Sequence, residues 1–142
     1  VKVLIDTNVI IDEILSREPF CIDSRRVIQL CSEEDVETFL AAHTITNLFY
    51  LLRKNLSAGE RRTVILSLFK TYEIVPIDDK KLTAALHNED FKDFEDCLQV
   101  ECAAAVDADY IITRDAKDFA ESKIPCVTPA EFCNLFEMEE KI

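Results

Sequence analysis

The chain has 142 residues, enough for one domain, residues 1–142, built on one hydrophobic core. Hydrophobic residues make up 49% and charged residues 31%, with only one glycine and four prolines, which excludes a disordered chain, a flexible linker and a turn-rich β-sandwich. The 16 basic residues stand against 28 acidic ones, and this net charge of −12 opposes general nucleic-acid binding unless a bound divalent metal reverses the sign locally.

Taken in order, Val3-Leu4-Ile5 reads as a buried strand closed by a carboxylate, Asp6. Val9 to Ser16 reads as a short helix, broken at Arg17-Glu18-Pro19. Ser24 to Ser32 is a second helix, Glu33-Glu34-Asp35 a polar turn, and Val36 to Ala42 a strand rich in β-formers. His43 to Asn55 has a wide apolar face, with Thr44 or Thr46 as a candidate cap. A helix over Ala58 to Thr71, a strand over Glu73 to Ile77 and a helix over Asp79 to Asn88 follow. Asp93 to Val106 is the longest helix, with an acidic start, and Asp109 to Thr113 leaves it as a strand. Asp115 to Glu121 is a turn and short helix, Cys126-Val127 a small edge strand, and Pro129 opens a last helix through Ala130 to Phe136. Strands alternating with helices predict a parallel sheet in an α/β fold, with the strands' carboxyl ends on one edge.

The six cysteines (Cys21, Cys31, Cys97, Cys102, Cys126 and Cys133) form no C-x-x-C pair, and His43 and His87 do not complete a zinc set. They are expected to be reduced, mostly buried thiols of a cytoplasmic protein. No signal peptide is visible and no apolar run approaches the ~20 residues of a membrane span. The absent initiator methionine suggests a trimmed start.

Four carboxylates fall where this architecture gathers ligands. Asp6 ends the first strand, Asp96 lies in the first turn of the long helix, and Asp115 and Asp118 follow the strand ending near Thr113. Clustered carboxylates repel, each raising its neighbour's pKa, and a hard divalent cation relieves that conflict. Such an ion can activate water and stabilise charge on a phosphoryl group, without a serine, cysteine or histidine nucleophile. Asp93 and Glu95 fit capping or solvated roles. Asp12 and Asp90 are expected at the surface or as caps.

IDTNVIID near the start and FEDCLQVECAAAVDADYIITRDAKDF late in the chain resemble a PIN domain over essentially the whole length. The resemblance implies a three-layer α/β/α fold of the 5′-nuclease kind, with a central parallel sheet of about 4–5 strands. It also implies an acidic Mg²⁺ or Mn²⁺ pocket that cleaves RNA. Many small prokaryotic members are VapC-like toxins, so an antitoxin partner and a homodimer are implied as well. By position, Asp6, Asp96 and Asp115 match the family's catalytic and metal-binding carboxylates, and Asp118 matches an additional metal ligand. Thr7, Asn8 and Thr113 would orient carboxylates or waters, and Arg114 and Lys117 would hold the RNA backbone. Arg53 and Lys54 are either helix-end cations or further phosphate contacts, and Tyr50 and Phe49 are expected in the core.

One position departs from the family. Asn47 stands where a glutamate is usual, so the site is one charge short and would hold metal less tightly, or one ion rather than two. The expected activity is metal-dependent RNA hydrolysis; the alternative is a nearly inert PIN-fold binding module. A haloacid-dehalogenase-type phosphatase is disfavoured, because Asn8 replaces the second aspartate that chemistry needs. A receiver domain is disfavoured as well, because this chain has no acidic pair before the first strand's end.

Overall fold

The computed structural model describes residues 1–33 and 35–140, so Glu34, the middle of the expected polar turn, lies outside the described residues. Five strands, β1 (Lys2–Ile5), β2 (Glu37–Ala41), β3 (Glu73–Val75), β4 (Tyr110–Ile112) and β5 (Cys126–Val127), form one sheet in the order β3-β2-β1-β4-β5. Every neighbouring pair is parallel. The helices are α1 (Thr7–Ile14), α2 (Cys21–Glu33), α3 (Ala42–Leu51), α4 (Ala58–Thr71), α5 (Asp79–His87), α6 (Phe94–Ala105) and α7 (Pro129–Glu140).

β1 lies at the centre because it is apolar on both faces. Val3 and Ile5 pack into one core with Val9, Val27, Leu48 and Phe132, from α1, α2, α3 and α7. Leu4 points to the other core, with Val100 and Ala103 of α6. This alternation places a helical layer on each side, as a parallel sheet requires. The strands step outward one way from β1 to β3, then the chain returns to lay β4 beside β1. With right-handed crossovers, reversing direction switches the connecting helices to the opposite face. The reversal also opens a crevice between the carboxyl ends of β1 and β4, the usual ligand position in open α/β sheets.

Helix boundaries differ from the expected ones for local reasons. α1 starts at Thr7 rather than Val9, because Asp6 caps it by accepting the Thr7 N–H. The helix expected over His43 to Asn55 is α3 followed by a 3-10 turn, Leu52–Lys54. Neither Thr44 nor Thr46 caps α3; its N-cap is Ala41, which makes no side-chain cap hydrogen bond. All six cysteines are free, and Cys21, Cys97, Cys102 and Cys133 are buried. Among the described residues no helix is long and apolar enough to cross a membrane.

Candidate active site

Asp6 sits at the tip of β1, only 7% exposed. Its Oδ2 accepts the Thr113 hydroxyl at 2.8 Å, and its Oδ1 accepts the Thr7 N–H at 2.8 Å and the Gln99 amide at 3.1 Å. Burial pushes its pKa above the usual carboxylate range, while the Thr113 and Thr7 hydrogen bonds oppose that rise. Gln99 Nε2 also reaches Thr44 Oγ1 at 3.1 Å, and Thr44 Oγ1 meets Thr7 Oγ1 at 2.9 Å. This polar chain ties α3 and α6 to the end of β1. Among the described residues Gln99 Oε1, which is buried, has no hydrogen-bond partner.

The segment after β4 is fastened to the start of α1. Asn8 Nδ2 donates to Asp115 Oδ2 at 3.2 Å and to Thr113 Oγ1 at 3.4 Å, and Asn8 Oδ1 accepts the Arg114 N–H at 3.2 Å. Thr113 Oγ1 also accepts the Asp115 N–H at 3.2 Å. Asp115 is thereby aimed into the crevice although its side chain is exposed.

α6 supplies the third carboxylate. Asp93 is its N-cap, accepting the Asp96 N–H at 2.9 Å, and this leaves Asp96 half-buried in the first turn. Burial, then the charges of Asp93, Asp6, Asp118 and Asp115, push Asp96 up to about 7. His43 Nε2 lies 3.1 Å from the Glu95 carbonyl oxygen, and burial lowers the pKa of its ring.

A cavity of about 300 Å³ is lined by Asp6, Thr7, Asn8, Asn47, Asp96, Asp115, Arg114 and Arg17, among others. Asp118 and Lys117 line a neighbouring cavity of about 380 Å³ that shares Asp96. The structure therefore gathers Asp6, Asp96 and Asp115 in one crevice, with Asp118 and Lys117 around the corner. Among the described residues, no group of three or more His, Cys, Asp or Glu side chains stands close enough together to hold a metal ion as it is, so Asp6, Asp96 and Asp115 share the crevice without forming a ready-made ligand set.

Two residues differ from their sequence expectation. Asp12 is 1% exposed rather than at the surface, and its two oxygens accept Arg114 Nη1 at 3.0 and 3.1 Å. Arg114 in turn lies over the Phe20 ring at 4.1 Å. Tyr50 is 60% exposed beneath the Arg53 guanidinium, rather than in the core. Gln99, Thr44 and Arg17 escaped the sequence reading. Helical spacing carries a signal for Gln99, and for the buried Asp12 as well: Gln99 is one turn after Asp96 and Asp12 one turn after Asn8, each on a face shared with a site residue.

The donor set suits a hard cation. It is made of carboxylate and amide oxygens beside a space that can hold a hydrated ion, and Mg²⁺ takes only one or two carboxylates directly. Burial first, and then the charges of the neighbouring carboxylates, disfavour the ionised form of Asp96. Fold and crevice together define an α/β protein with an acidic cleft at its sheet reversal. A family model described as PIN domain matches residues 2–117, and the chain belongs to that family. No curated protein matches the chain. Among solved structures, VapBC-1 from nontypeable Haemophilus influenzae is 16% identical, with a TM-score of 0.70 over 92% of this chain and 99% of that one. A toxin-antitoxin complex from Klebsiella pneumoniae is 22% identical, with a TM-score of 0.66 over 89% of this chain and 97% of that one. VapC20 of Mycobacterium tuberculosis, described as a sarcin-ricin loop cleaving toxin, is 10% identical, with a TM-score of 0.62 over 77% and 86%.

Proposed function

We propose that this chain is a metal-dependent endoribonuclease, with Asp6, Asp96 and Asp115 holding Mg²⁺ or Mn²⁺ and Asp118 assisting. The observation that carries the reading is the convergence of Asp6, Asp96 and Asp115 on one cavity at the reversal of the sheet. A divalent ion there would supply an activated water and charge stabilisation at a phosphoryl group. The chain's own residues do the positioning. Thr113, Gln99 and the Thr7 N–H fix both oxygens of Asp6, and Asn8 and Thr113 orient Asp115. Lys117, on the rim beside Asp118, is available to the RNA backbone. Family membership and the likeness to a toxin described as cleaving the sarcin-ricin loop support RNA as the substrate.

The same reading makes the chain the toxin of a toxin–antitoxin pair, as the VapBC neighbours suggest. Leu66 and Phe69 of α4 are exposed and line an apolar groove with Ile45 and Phe49 of α3, a surface suited to an antitoxin or a second copy. Free thiols accord with a cytoplasmic location.

The test is cleavage of single-stranded RNA in Mn²⁺. Wild-type protein should cut, chelation should stop it, and Asp6→Asn should reduce the rate by at least about a thousandfold, the loss of several kcal/mol of metal-dependent stabilisation. Metal-dependent cutting by Asp6→Asn would overturn the assignment. A second reading, an inert binding module, draws on Asn47, which brings a neutral amide to the cavity. Absence of both Mn²⁺ binding and RNA nicking would favour it.

A further inference from the structure

The cavity lined by Asp6, Glu95, Asp96 and Asp115 is also lined by two arginines, and the chain uses them differently. Arg114 is committed. Its Nη1 donates to both oxygens of Asp12 at 3.0 and 3.1 Å, its plane covers Phe20, and its side chain is only 29% exposed. The ion pair through Nη1 and the stacking on Phe20 hold this head in place beside a buried carboxylate, although Nη2 and Nε keep their donors.

Arg17 is held at its backbone and loose at its head. α1 ends in a Schellman turn: Ser16 takes a left-handed φ of 51°, its N–H bonds the Glu13 carbonyl, and the Arg17 N–H bonds the Asp12 carbonyl at 2.9 Å. That turn fixes the stem of Arg17 at the mouth of the cavity. Its Nη1 stays 3.9 Å from Asp12 Oδ1, too long for a hydrogen bond, and its side chain is 46% exposed. Asp12, paired with Arg114, lies near enough to attract this guanidinium without consuming its donors.

We infer that Arg17 is the cavity's phosphate-binding residue, taking a phosphodiester of single-stranded RNA, whereas Arg114 is a positioning residue. Arg114 acts by anchorage: its side chain is clamped to Asp12, and this steadies its backbone N–H, which donates to Asn8, which in turn holds Asp115. An arginine suits the phosphate task because its planar fork matches two phosphate oxygens at once. It also places a positive charge beside a metal site in a protein of net charge −12. This inference rests on the nuclease reading.

The experiment measures binding of a fluorescein-labelled single-stranded RNA to the full chain in the cleavage-silent Asp6→Asn background, in Mg²⁺, across a salt series. Adding Arg17→Gln should weaken binding roughly tenfold, the worth of a charge-assisted hydrogen bond. It should also reduce the slope of log affinity against log salt by about 0.7, the share of one phosphate contact on a single strand. Arg17→Lys should retain the slope and part of the affinity, and Tm should not move in either. In the wild-type background, Arg17→Gln should raise KM more than it lowers kcat. Arg114→Lys should instead lower kcat and Tm and leave the salt slope unchanged. An Arg17→Gln protein with parental affinity and slope but a lowered Tm would overturn the inference, making Arg17 a second counter-ion of Asp12, while wild-type cleavage in Mn²⁺ would leave the nuclease reading intact. If wild-type protein neither cuts nor binds RNA, the nuclease reading fails and takes this inference with it.

Discussion

Asp6 and Asp96 face one cavity but are held by opposite means. Asp6 is buried and receives hydrogen bonds from Thr113, Gln99 and the Thr7 backbone. Among the described residues no donor reaches the Asp96 carboxylate, and burial, then the charges of Asp93, Asp6, Asp118 and Asp115, disfavour its ionised form. The first is fixed in place before any ligand arrives; the second stands in a field that a cation would neutralise. Function here divides into a pre-built corner, which sets geometry, and a frustrated corner, which creates the demand for charge.

The largest expected effect sharpens this contrast. Asp6→Asn and Asp96→Asn should each cost at least about a thousandfold in cleavage, yet differ in stability. Asp96→Asn should raise the Tm of metal-free protein above pH 7 by removing repulsion, and Asp6→Asn should not. Equal Tm changes in calorimetry would erase the distinction between the corners.

Next is Asp12→Ala, which leaves the Arg114 guanidinium partly buried and unpaired. A loss of about 3 kcal/mol in urea unfolding is expected, with reduced cleavage because Asn8 and Asp115 lose their backing. A loss under about 0.5 kcal/mol, in the range of ordinary surface changes, would make the clamp dispensable.

Gln99→Leu and Thr113→Val remove donors to Asp6, and each should cost about 1–2 kcal/mol and lower Mn²⁺ affinity in calorimetric titration. Unchanged affinity in both would mean that Asp6 needs no second layer.

The pH dependence probes the other corner. Asp96 is raised from an ordinary 3.8 to about 7, so between those values the folded state binds more protons than the unfolded chain. Stability of metal-free protein should therefore be greatest at low pH as far as this group is concerned, and fall as pH rises through 7. Mn²⁺ should restore Tm most above pH 7. A Tm that rises with pH over that window, without metal, would contradict the account of Asp96.

The smallest effect is expected far from the cleft. Phe69→Ser on the exposed strip of α4 should change monomer stability by less than about 0.5 kcal/mol. It should still weaken any association detected by sedimentation, since that surface contributes no core.

The sequence made the sheet and the three gathered aspartates legible because both follow from short-range pattern. An apolar run closed by Asp6 is a strand with its tip marked, and the late acidic helix followed by Tyr110-Ile111-Ile112 is a crossover with its return strand. What it concealed depends on distant pairing. Asp12 looked like a surface carboxylate because its partner, Arg114, lies 102 residues away. Gln99 looked like an ordinary polar residue of a helix because its acceptors, Asp6 and Thr44, belong to two other elements. Tyr50 looked like core because α3 is apolar on most sides, and only the packing of α4 decides which side faces water. Asn47 was conspicuous in sequence, and it lines the same cavity as the aspartates.

In the proposed function the crevice between β1 and β4 binds a divalent ion through Asp6, Asp96 and Asp115. Anomalous diffraction from crystals soaked in Mn²⁺ measures this directly. A manganese peak is expected within bonding reach of Asp6 and at least one of the other two, and should be lost in Asp6→Asn crystals. A peak bound elsewhere, or none in that crevice at millimolar Mn²⁺, would contradict it.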